Sequence, residues 1–175
     1  EADGIVTADA TQIMSTGSIW GLDRIDQAAL PLNSTYTYTN SGAGVTAYVI
    51  DTGILISHSE FGGRASVLSD AIGDGQNGID CNGHGTHVSG TVGGTTYGVA
   101  KNVNLVGVGV LSCTGSGSTS GVIAGVDWVA VNASGPSVAN MSLGGGQSVA
   151  LDSAVQSAVQ SGVSFMLAAG NSNAD

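Results

Sequence analysis

The composition allows one globular domain and argues against two classes of partner. Of the 175 residues, 42% are hydrophobic, and three basic residues against 13 acidic ones give a net charge of −10, which disfavours binding to nucleic acid or anionic membranes. No apolar run approaches the roughly 18 to 20 residues that a membrane-spanning helix requires, so no membrane anchor is predicted.

The first part of the chain predicts short elements followed by one buried strand. Residues 1–7 indicate a short extended piece, and the apolar pattern of residues 19–27 predicts a short helix that ends before Pro31. Residues 44–51 are β-rich and apolar, which is typical of a buried strand, and Asp51 stands at its carboxyl end. The acidic residues of the glycine-rich polar loop that follows are Asp70, Asp74 and Asp80.

The second part alternates strands with helices. Strands are predicted at residues 104–111, 137–141 and 163–168, with helices from Ser120 to about residue 132 and over residues 149–161. This alternation predicts the α/β class: a three-layer, doubly wound, mostly parallel sheet with helices on both faces. The ligand site of such a sheet lies beyond the carboxyl ends of its strands. The candidates just past those ends are Asp51, the loop that begins at Gly115, Ser142 and Asn171.

The strongest chemical signal is His84, which stands between Gly83 and Gly85 within residues 80–94. Glycines on both sides let a backbone or a substrate approach the imidazole closely, and the small apolar residues that follow predict a helix. In nucleophilic hydrolysis a carboxylate orients a histidine, which takes a proton from the nucleophile. Asp51 and His84 are the candidates for these two roles.

A metal site is the first alternative. Cys81, His84 and His87 form a Cys-x-x-His-x-x-His run with plausible metal-ligand types. Flanking glycines make a poor rigid scaffold, no fourth ligand is evident, and the run leaves Asp51 without a role. Hydrolysis is therefore favoured.

Dinucleotide binding is the second alternative, because Gly115-Ser116-Gly117 follows a predicted strand and precedes a predicted helix. The third glycine of that fingerprint is displaced to Gly121, and the strand at residues 137–141 ends without the acidic residue that binds a ribose. A single Gly-x-Gly is a weak signal, so this binding-module interpretation is disfavoured.

Cys81 and Cys113 are the only cysteines, so only one pairing can form. A glycine-rich, lysine-poor chain fits an oxidising extracellular setting better than the cytosol, which favours a disulfide over free thiols. Such a bond would fix the entry to the His84 segment.

Four blocks of sequence carry a family resemblance. They are residues 49–53 (Val-Ile-Asp-Thr-Gly), 82–90 (Asn-Gly-His-Gly-Thr-His-Val-Ser-Gly), 140–144 (Asn-Met-Ser-Leu-Gly) and 168–171 (Ala-Ala-Gly-Asn). In this order they resemble the Asp, His, substrate-pocket and oxyanion blocks of the subtilisin-like serine peptidases. The likeness runs from about residue 20 to residue 175 and is greatest to the proteinase K branch and its secreted, aqualysin-like members.

The resemblance implies a role for each matched residue. Asp51 would accept a hydrogen bond from His84, His84 would act as general base and then general acid, and Asn171 would donate its side-chain amide to the oxyanion. Two extended segments would flank the substrate backbone. These segments are Gly115, Ser116 and Gly117, and Ser142, Leu143 and Gly144. The resemblance also implies the disulfide between Cys81 and Cys113.

The resemblance further implies that the parent protein is a secreted serine endopeptidase of broad specificity. It would act on proteins or peptides, need no catalytic cofactor, be inhibited by its own propeptide and be monomeric when complete. Residues 1–12 are similar to a propeptide tail or form an N-terminal extension, and residues 13–175 resemble the N-terminal part of the catalytic domain.

The family's nucleophile lies in a Gly-Thr-Ser-Met-Ala block, which does not occur in residues 1–175. We therefore expect a sheet truncated at its C-terminal side, a nucleophile beyond this chain, and no peptidase activity from these residues alone. The alternative is a catalytically inactive subtilisin-like domain with a binding or structural role.

Calcium is expected only as a structural ion. A calcium position of the aqualysin-like branch matches in part a set of oxygen ligands at Asp23, Asp26, Gln27 and Asn33. A second, looser candidate set is Asp70, Asp74 and Asp80. Solvated loop acids are the alternative for both sets.

Overall fold

The computed structural model describes residues 10–14 and 19–171 of the chain. Its strands are β1 (Ala10–Ile13), β2 (Thr35–Tyr38), β3 (Thr46–Asp51), β4 (Ala65–Asp70), β5 (Asn104–Gly109), β6 (Ser137–Met141) and β7 (Ser164–Leu167). Its helices are α1 (Trp20–Ile25), α2 (His84–Gly93), α3 (Thr119–Asn132) and α4 (Val149–Gln160). Among the residues it describes, no helix has both the length and the apolar character needed to cross a membrane.

Five strands form one sheet in the order β4-β5-β3-β6-β7, and every neighbouring pair is parallel. β3 is the central strand, paired with β5 along its whole length from Thr46 to Asp51. Its sequence is almost entirely apolar because both faces of a central parallel strand are buried. The predicted parallel α/β fold is confirmed.

Alternate residues of β3 are buried on opposite faces of the sheet, since successive side chains of a strand point to opposite sides. Tyr48 and Ile50 belong to a core cluster that α3 and α4 cover. Ala47 and Val49 belong to a second cluster that α2 covers. Helices thus lie on both faces, which is the predicted three-layer arrangement.

β4 corrects one prediction. The sequence indicates a polar loop around Asp70, but the structure has a strand from Ala65 to Asp70. β4 lies at the edge of the sheet, pairs with β5 and shifts register between Val67 and Ser69. This half-buried edge strand mixes polar and apolar residues, so it lacks the continuous apolar run that marks a central parallel strand.

A separate two-stranded sheet pairs β1 antiparallel with β2, from Ala10 opposite Tyr38 to Ile13 opposite Thr35. The extended piece predicted at residues 1–7 lies outside the described residues. The assignment of residues 1–12 to a propeptide tail or N-terminal extension stays a prediction. The short helix predicted within residues 19–27 is present as α1.

The topology brings several strand ends to one rim. β3, β5 and β6 end at Asp51, Gly109 and Met141, and β3 lies between the two later strands. After β3, the chain first forms β4 and β5 on one side of that strand and then crosses to the other side to form β6. The direction in which strands are added to the sheet therefore changes beside β3. A crevice at the carboxyl ends of the strands is expected at such a switch point.

Candidate active site

Asp51 is the buried end of the central strand, with no exposed side-chain surface. Its Oδ1 accepts a hydrogen bond of 2.7 Å from the backbone N–H of Thr52. A buried carboxylate requires hydrogen-bond partners to offset its lost hydration. The side chain of His84 supplies the other hydrogen-bond partner of this carboxylate.

His84 is the first residue of α2, and its ring lies against Asp51. Nδ1 of His84 is 2.8 Å from Oδ1 and 2.9 Å from Oδ2 of the carboxylate. With Asp51 ionised, the carboxylate can only accept, so Nδ1 carries the proton and the lone pair of Nε2 is left for another partner. The His84 side chain is 49% exposed, whereas Asp51 is inaccessible.

Glycines make this approach of α2 to β3 sterically feasible. Gly83 precedes the helix with a φ of 106°, which a residue with a side chain rarely adopts. A Cβ on Gly85 would overlap the carbonyl oxygen of Gly53 and stand 3.2 Å from Oδ1 of Asp51. The backbone of the first helical turn therefore packs directly on the end of β3.

Asp80 was not predicted to serve the His84 segment but does so in the structure. Its carboxylate accepts hydrogen bonds from the backbone N–H groups of Asn82, Gly83 and Thr86 and from the hydroxyls of Thr52 and Thr86. Partial burial raises the pKa of Asp80, but the hydrogen bonds from Gly83, Thr86 and Asn82 outweigh it and leave that pKa below its usual value.

A disulfide joins Cys81 to Cys113, with their Cα atoms 4.9 Å apart, so the implied pairing is present in the structure. Beside it, Nδ2 of Asn82 donates to the carbonyl oxygen of Cys113 at 2.9 Å, and Oδ1 of Asn82 accepts from the N–H of His84 at 3.2 Å. The loop before α2 is thus tied to the loop after β5. Because the sulfur of Cys81 is in a disulfide, it offers no thiolate to the alternative metal site.

His84 lines a cleft of about 790 Å³ together with both segments predicted to flank a substrate. Residues 115–117 form one part of its wall and residues 142–144 another. Gly117 is required for steric reasons, because a Cβ there would overlap the carbonyl oxygen of Val110. Ser118 then begins α3 by accepting a hydrogen bond of 3.0 Å from the N–H of Gly121.

Asn171 is placed less directly. It follows β7 by four residues and is exposed, but it does not contribute to the cleft as the described residues form it. Leu167 and Ala168, at the end of β7, do line the cleft. The structure therefore brings His84 and the two substrate segments together and leaves Asn171 beside them.

The two calcium candidates differ in geometry. In the first set, Oδ1 of Asp26 and Oε1 of Gln27 are buried without a hydrogen-bond partner among the described residues. Asp23 accepts from the N–H groups of Asn33 and Ser34 at 3.2 and 2.7 Å. The side-chain oxygen Oδ1 of Asn33 already accepts hydrogen bonds from the N–H and the hydroxyl of Thr35.

The second set does not converge. The carboxylate oxygens of Asp70, Asp74 and Asp80 are not all within 4.8 Å of one another. Asp70 and Asp74 accept hydrogen bonds from nearby backbone N–H groups, and Asp80 is committed to the first turn of α2. The prediction that these three acids form one ion site is therefore wrong.

Several residues around the cleft were missed. Thr52 and Asn82 line it, as do apolar side chains of Leu111, Val122 and Met141. Asp80 stands three residues before Gly83, the residue that precedes α2, so the rule for helix-capping side chains does not select it. The apolar lining residues carry no signal either, because their sequence pattern is that of ordinary core strands and helices.

A parallel α/β sheet whose central strand ends in a buried Asp bonded to a histidine beside an open cleft is the arrangement of Asp–His-assisted hydrolases. The family model described as the subtilase family, peptidase S8, matches residues 42–175. The chain belongs to the subtilase family, and the predicted resemblance is confirmed.

Close relatives are named as serine proteases. The chain is 74% identical over 173 residues to alkaline serine exoprotease A of Vibrio alginolyticus, which covers 99% of this chain and 32% of that protein. It is 62% identical over 175 residues to the extracellular serine proteinase of Thermus sp. (strain Rt41A), covering 100% of this chain and 42% of the relative.

A solved structure gives the same result. The crystal structure of a cold adapted subtilisin-like serine proteinase matches with a TM-score of 0.88 and 73% identity, over 90% of this chain and 57% of that one. The chain therefore spans less than two thirds of the length of each of these relatives.

Proposed function

We propose that the complete protein is a serine endopeptidase in which Asp51 orients His84 and His84 takes the proton from a serine outside residues 1–175. The observation that carries the proposal is that Nδ1 of His84 donates to the Asp51 carboxylate, whose two oxygens lie 2.8 and 2.9 Å from it. Burial of Asp51 fixes the orienting group, and exposure of His84 to the cleft leaves the base accessible to substrate.

The substrate is a polypeptide of broad sequence, held through its backbone. Residues 115–117 and 142–144 supply this contact, since both line the cleft with His84 and consist largely of small residues. Small residues expose backbone N–H and C=O groups to an extended peptide. Asn171, just past β7, donates its amide to the oxyanion in the transition state.

Secretion and propeptide inhibition belong to the same proposal. Two relatives carry the words exoprotease and extracellular in their names, and the Cys81–Cys113 disulfide suits an oxidising compartment. Residues 1–12 are the tail of the inhibitory propeptide, and the complete enzyme is a monomer.

The test uses the complete protein and a chromogenic peptide anilide. Asp51→Asn should reduce kcat by about 10⁴-fold with KM little changed, because the imidazole loses its orienting anion. His84→Ala should reduce kcat at least as strongly, and a serine-directed fluorophosphonate should inactivate the unaltered protein. Full activity of either variant, or failure of the reagent to inactivate, would contradict the proposal. An unaltered protein without hydrolysis would favour a binding or structural role.

We also propose a structural calcium ion at α1. The buried oxygens of Asp26 and Gln27, which have no hydrogen-bond partner in the part of the chain that the structure describes, suit a hard cation, because such ions prefer carboxylate and carbonyl oxygen ligands. EDTA should lower the Tm of the complete protein, and Gln27→Leu should abolish that dependence on calcium. The proposal fails if the Tm is the same in EDTA and in excess calcium.

A further inference from the structure

Asp80 lies in the loop between β4 and α2 and accepts hydrogen bonds from three separate segments. Oδ1 accepts from the hydroxyl of Thr52 after β3 and from the N–H groups of Asn82 and Gly83 before α2, each at 2.9 Å. Oδ2 accepts from the N–H of Thr86 at 2.9 Å and from the Thr86 hydroxyl. All five groups are donors, so the site suits an ionised carboxylate and no neutral side chain of this size.

The two hydroxyls extend this network to the end of β3. The Thr52 hydroxyl donates to Asp80 and accepts from the N–H of Gly85 at 2.9 Å. The Thr86 hydroxyl donates to Asp80 and accepts from the N–H of Leu55 at 3.0 Å. Each hydroxyl therefore forms a relay: it accepts a hydrogen bond from a backbone N–H and donates its single proton to Asp80. Because the anion of Asp80 can only accept, it fixes the direction of both relays.

The relay through the Thr52 hydroxyl links α2 to Thr52, whose backbone N–H donates to Asp51. The N–H of Thr52 donates to Oδ1 of Asp51, while its hydroxyl receives the N–H of Gly85, which is adjacent to His84. Thr52 is only 4% exposed, so these bonds are shielded from competing water. The relative position of Asp51 and His84 therefore depends on hydrogen bonds whose direction Asp80 sets.

We infer that Asp80 is a positioning residue for the hydrolytic reaction: its carboxylate holds the first turn of α2 against the end of β3 so that the imidazole of His84 meets Asp51. The inference rests on the proposed function of the Asp51–His84 pair. An asparagine at position 80 would place its NH₂ group against groups that are themselves hydrogen-bond donors. One of the two relays would then lose its hydrogen bond to residue 80. A displacement of about 1 Å at a catalytic group is sufficient to reduce a rate by about 100-fold.

Glu60 offers a matched control at the opposite end of α2. Its carboxylate accepts from the N–H groups of Thr96 and Tyr97 at 2.8 and 3.1 Å, in the segment that follows the helix. Glu60→Gln removes one charge and weakens backbone hydrogen bonds, as Asp80→Asn does. It leaves the relays through Thr52 and Thr86 intact.

The experiment compares Asp80→Asn and Glu60→Gln in the complete protein. Asp80→Asn should lower kcat about 10- to 100-fold with KM changed less than about twofold, since the base is misplaced while the substrate segments are not. Glu60→Gln should leave kcat and KM unchanged, because its contacts lie in the segment after α2.

A second variant separates position from charge. Thr52→Val keeps the anion of Asp80 but removes the hydroxyl that links Asp80 to the N–H of Gly85, so kcat should fall with KM changed little. In the double variant, the reduction in kcat should be smaller than the product of the two single reductions, because both changes break one network. Thr52→Val also keeps the inference testable if Asp80→Asn fails to fold.

A readout independent of turnover distinguishes this inference from the proposed function. The Nδ1–H proton of His84, bonded to Asp51, should give a low-field proton resonance in the complete protein, and Asp80→Asn should shift or broaden it while Glu60→Gln does not. If the unaltered protein hydrolyses nothing, the proposed function fails and the resonance still tests the position of His84. An unchanged kcat and an unchanged resonance in Asp80→Asn, or equal changes in Glu60→Gln, would overturn the inference.

Discussion

The missing side chain of Gly85 sets how closely α2 approaches β3. A methyl group there would overlap the carbonyl oxygen of Gly53 and crowd Oδ1 of Asp51 at 3.2 Å. Gly85→Ala should therefore move the first turn of α2 away and lengthen the hydrogen bond between His84 and Asp51. We expect kcat/KM of the complete protein to fall by about 100-fold or more, measured with a peptide anilide.

Gly90 provides the control for that substitution, because a Cβ at this position in the same helix meets nothing within 4 Å. Gly90→Ala should keep kcat/KM and raise the free energy of unfolding by about 0.5 to 1 kcal/mol, the usual gain from removing a glycine in a helix. Equal activity in both variants, or an equal loss in both, would show that close packing at Gly85 is not what positions His84.

Ser89, on the same helix, places a hydroxyl group in the protein interior. It is fully buried, and its hydroxyl has no hydrogen-bond partner among the described residues. Leaving a buried polar group unpaired costs about 1 to 3 kcal/mol. Ser89→Ala should therefore raise the free energy of unfolding by about 1 kcal/mol in denaturant titrations, with kcat unchanged. A variant less stable than the original protein would indicate a partner for the hydroxyl.

Asp51 and His84 were predictable as a pair because each is marked by its local sequence. Asp51 ends an apolar strand, and His84 lies between two glycines. The role of Asp80 was not predictable, since its partners Thr52 and Thr86 lie 28 residues before and 6 after it and meet only when the sheet is formed. The buried oxygens of Asp26 and Gln27 were predictable as ligand types, but their lack of partners was visible only in three dimensions.

At the scale of elements, burial decided which strands could be predicted. β3 and β5 are nearly continuous apolar runs with almost every residue buried, and both were predicted. β4 and β2 are mostly half-buried and mix Ser or Thr with apolar residues, so neither stands out from a polar loop. The pairing of β2 with β1 further depends on a contact between distant parts of the chain.

The segment after α2 is held by Glu60, and this makes its stability depend on pH. Burial raises the pKa of Glu60, but hydrogen bonds from Thr96 and Tyr97 and the nearby His58 outweigh it, so the pKa lies below its usual value. A carboxylate with a lowered pKa in the folded state stabilises the protein above its unfolded pKa, about 4.3, and loses this contribution as pH falls through the folded value.

Glu60→Gln should therefore lower the free energy of unfolding of the complete protein at pH 7, and the difference from the unaltered protein should shrink as the pH falls below about 4. Denaturant titrations at a series of pH values measure this difference. A difference that stays constant from neutral to acidic pH would show that the anion of Glu60 does not stabilise the segment.

At the scale of the whole molecule, the few basic residues serve the fold. Arg24 donates to the carbonyl oxygen of Gln27, Arg64 to those of Gly93 and Val103, and Lys101 to three carbonyl oxygens between residues 95 and 98. Burial lowers the pKa of Lys101, although Glu60 counteracts this. With three cations against 13 acidic residues, the chain keeps a net charge of −10.

The proposed function assigns the nucleophile to a serine outside residues 1–175, and the last prediction tests this assignment. Among the described residues, two serines line the cleft, Ser116 and Ser142. The ring of His84 is bonded through Nδ1 to Asp51, and neither serine hydroxyl is among its hydrogen-bond partners in the described residues. Ser142 instead accepts from the side chain of Asn140 at 2.9 Å.

A serine that is not bonded to the base is a weak nucleophile at neutral pH. Purified residues 1–175 should therefore not hydrolyse a peptide anilide and should not be labelled by a fluorophosphonate, whereas the complete protein should do both. Far-UV circular dichroism establishes whether the fragment is folded when it is assayed. Labelling of the fragment at Ser116 or Ser142, lost in the corresponding alanine variant, would place the nucleophile within this chain and contradict the prediction.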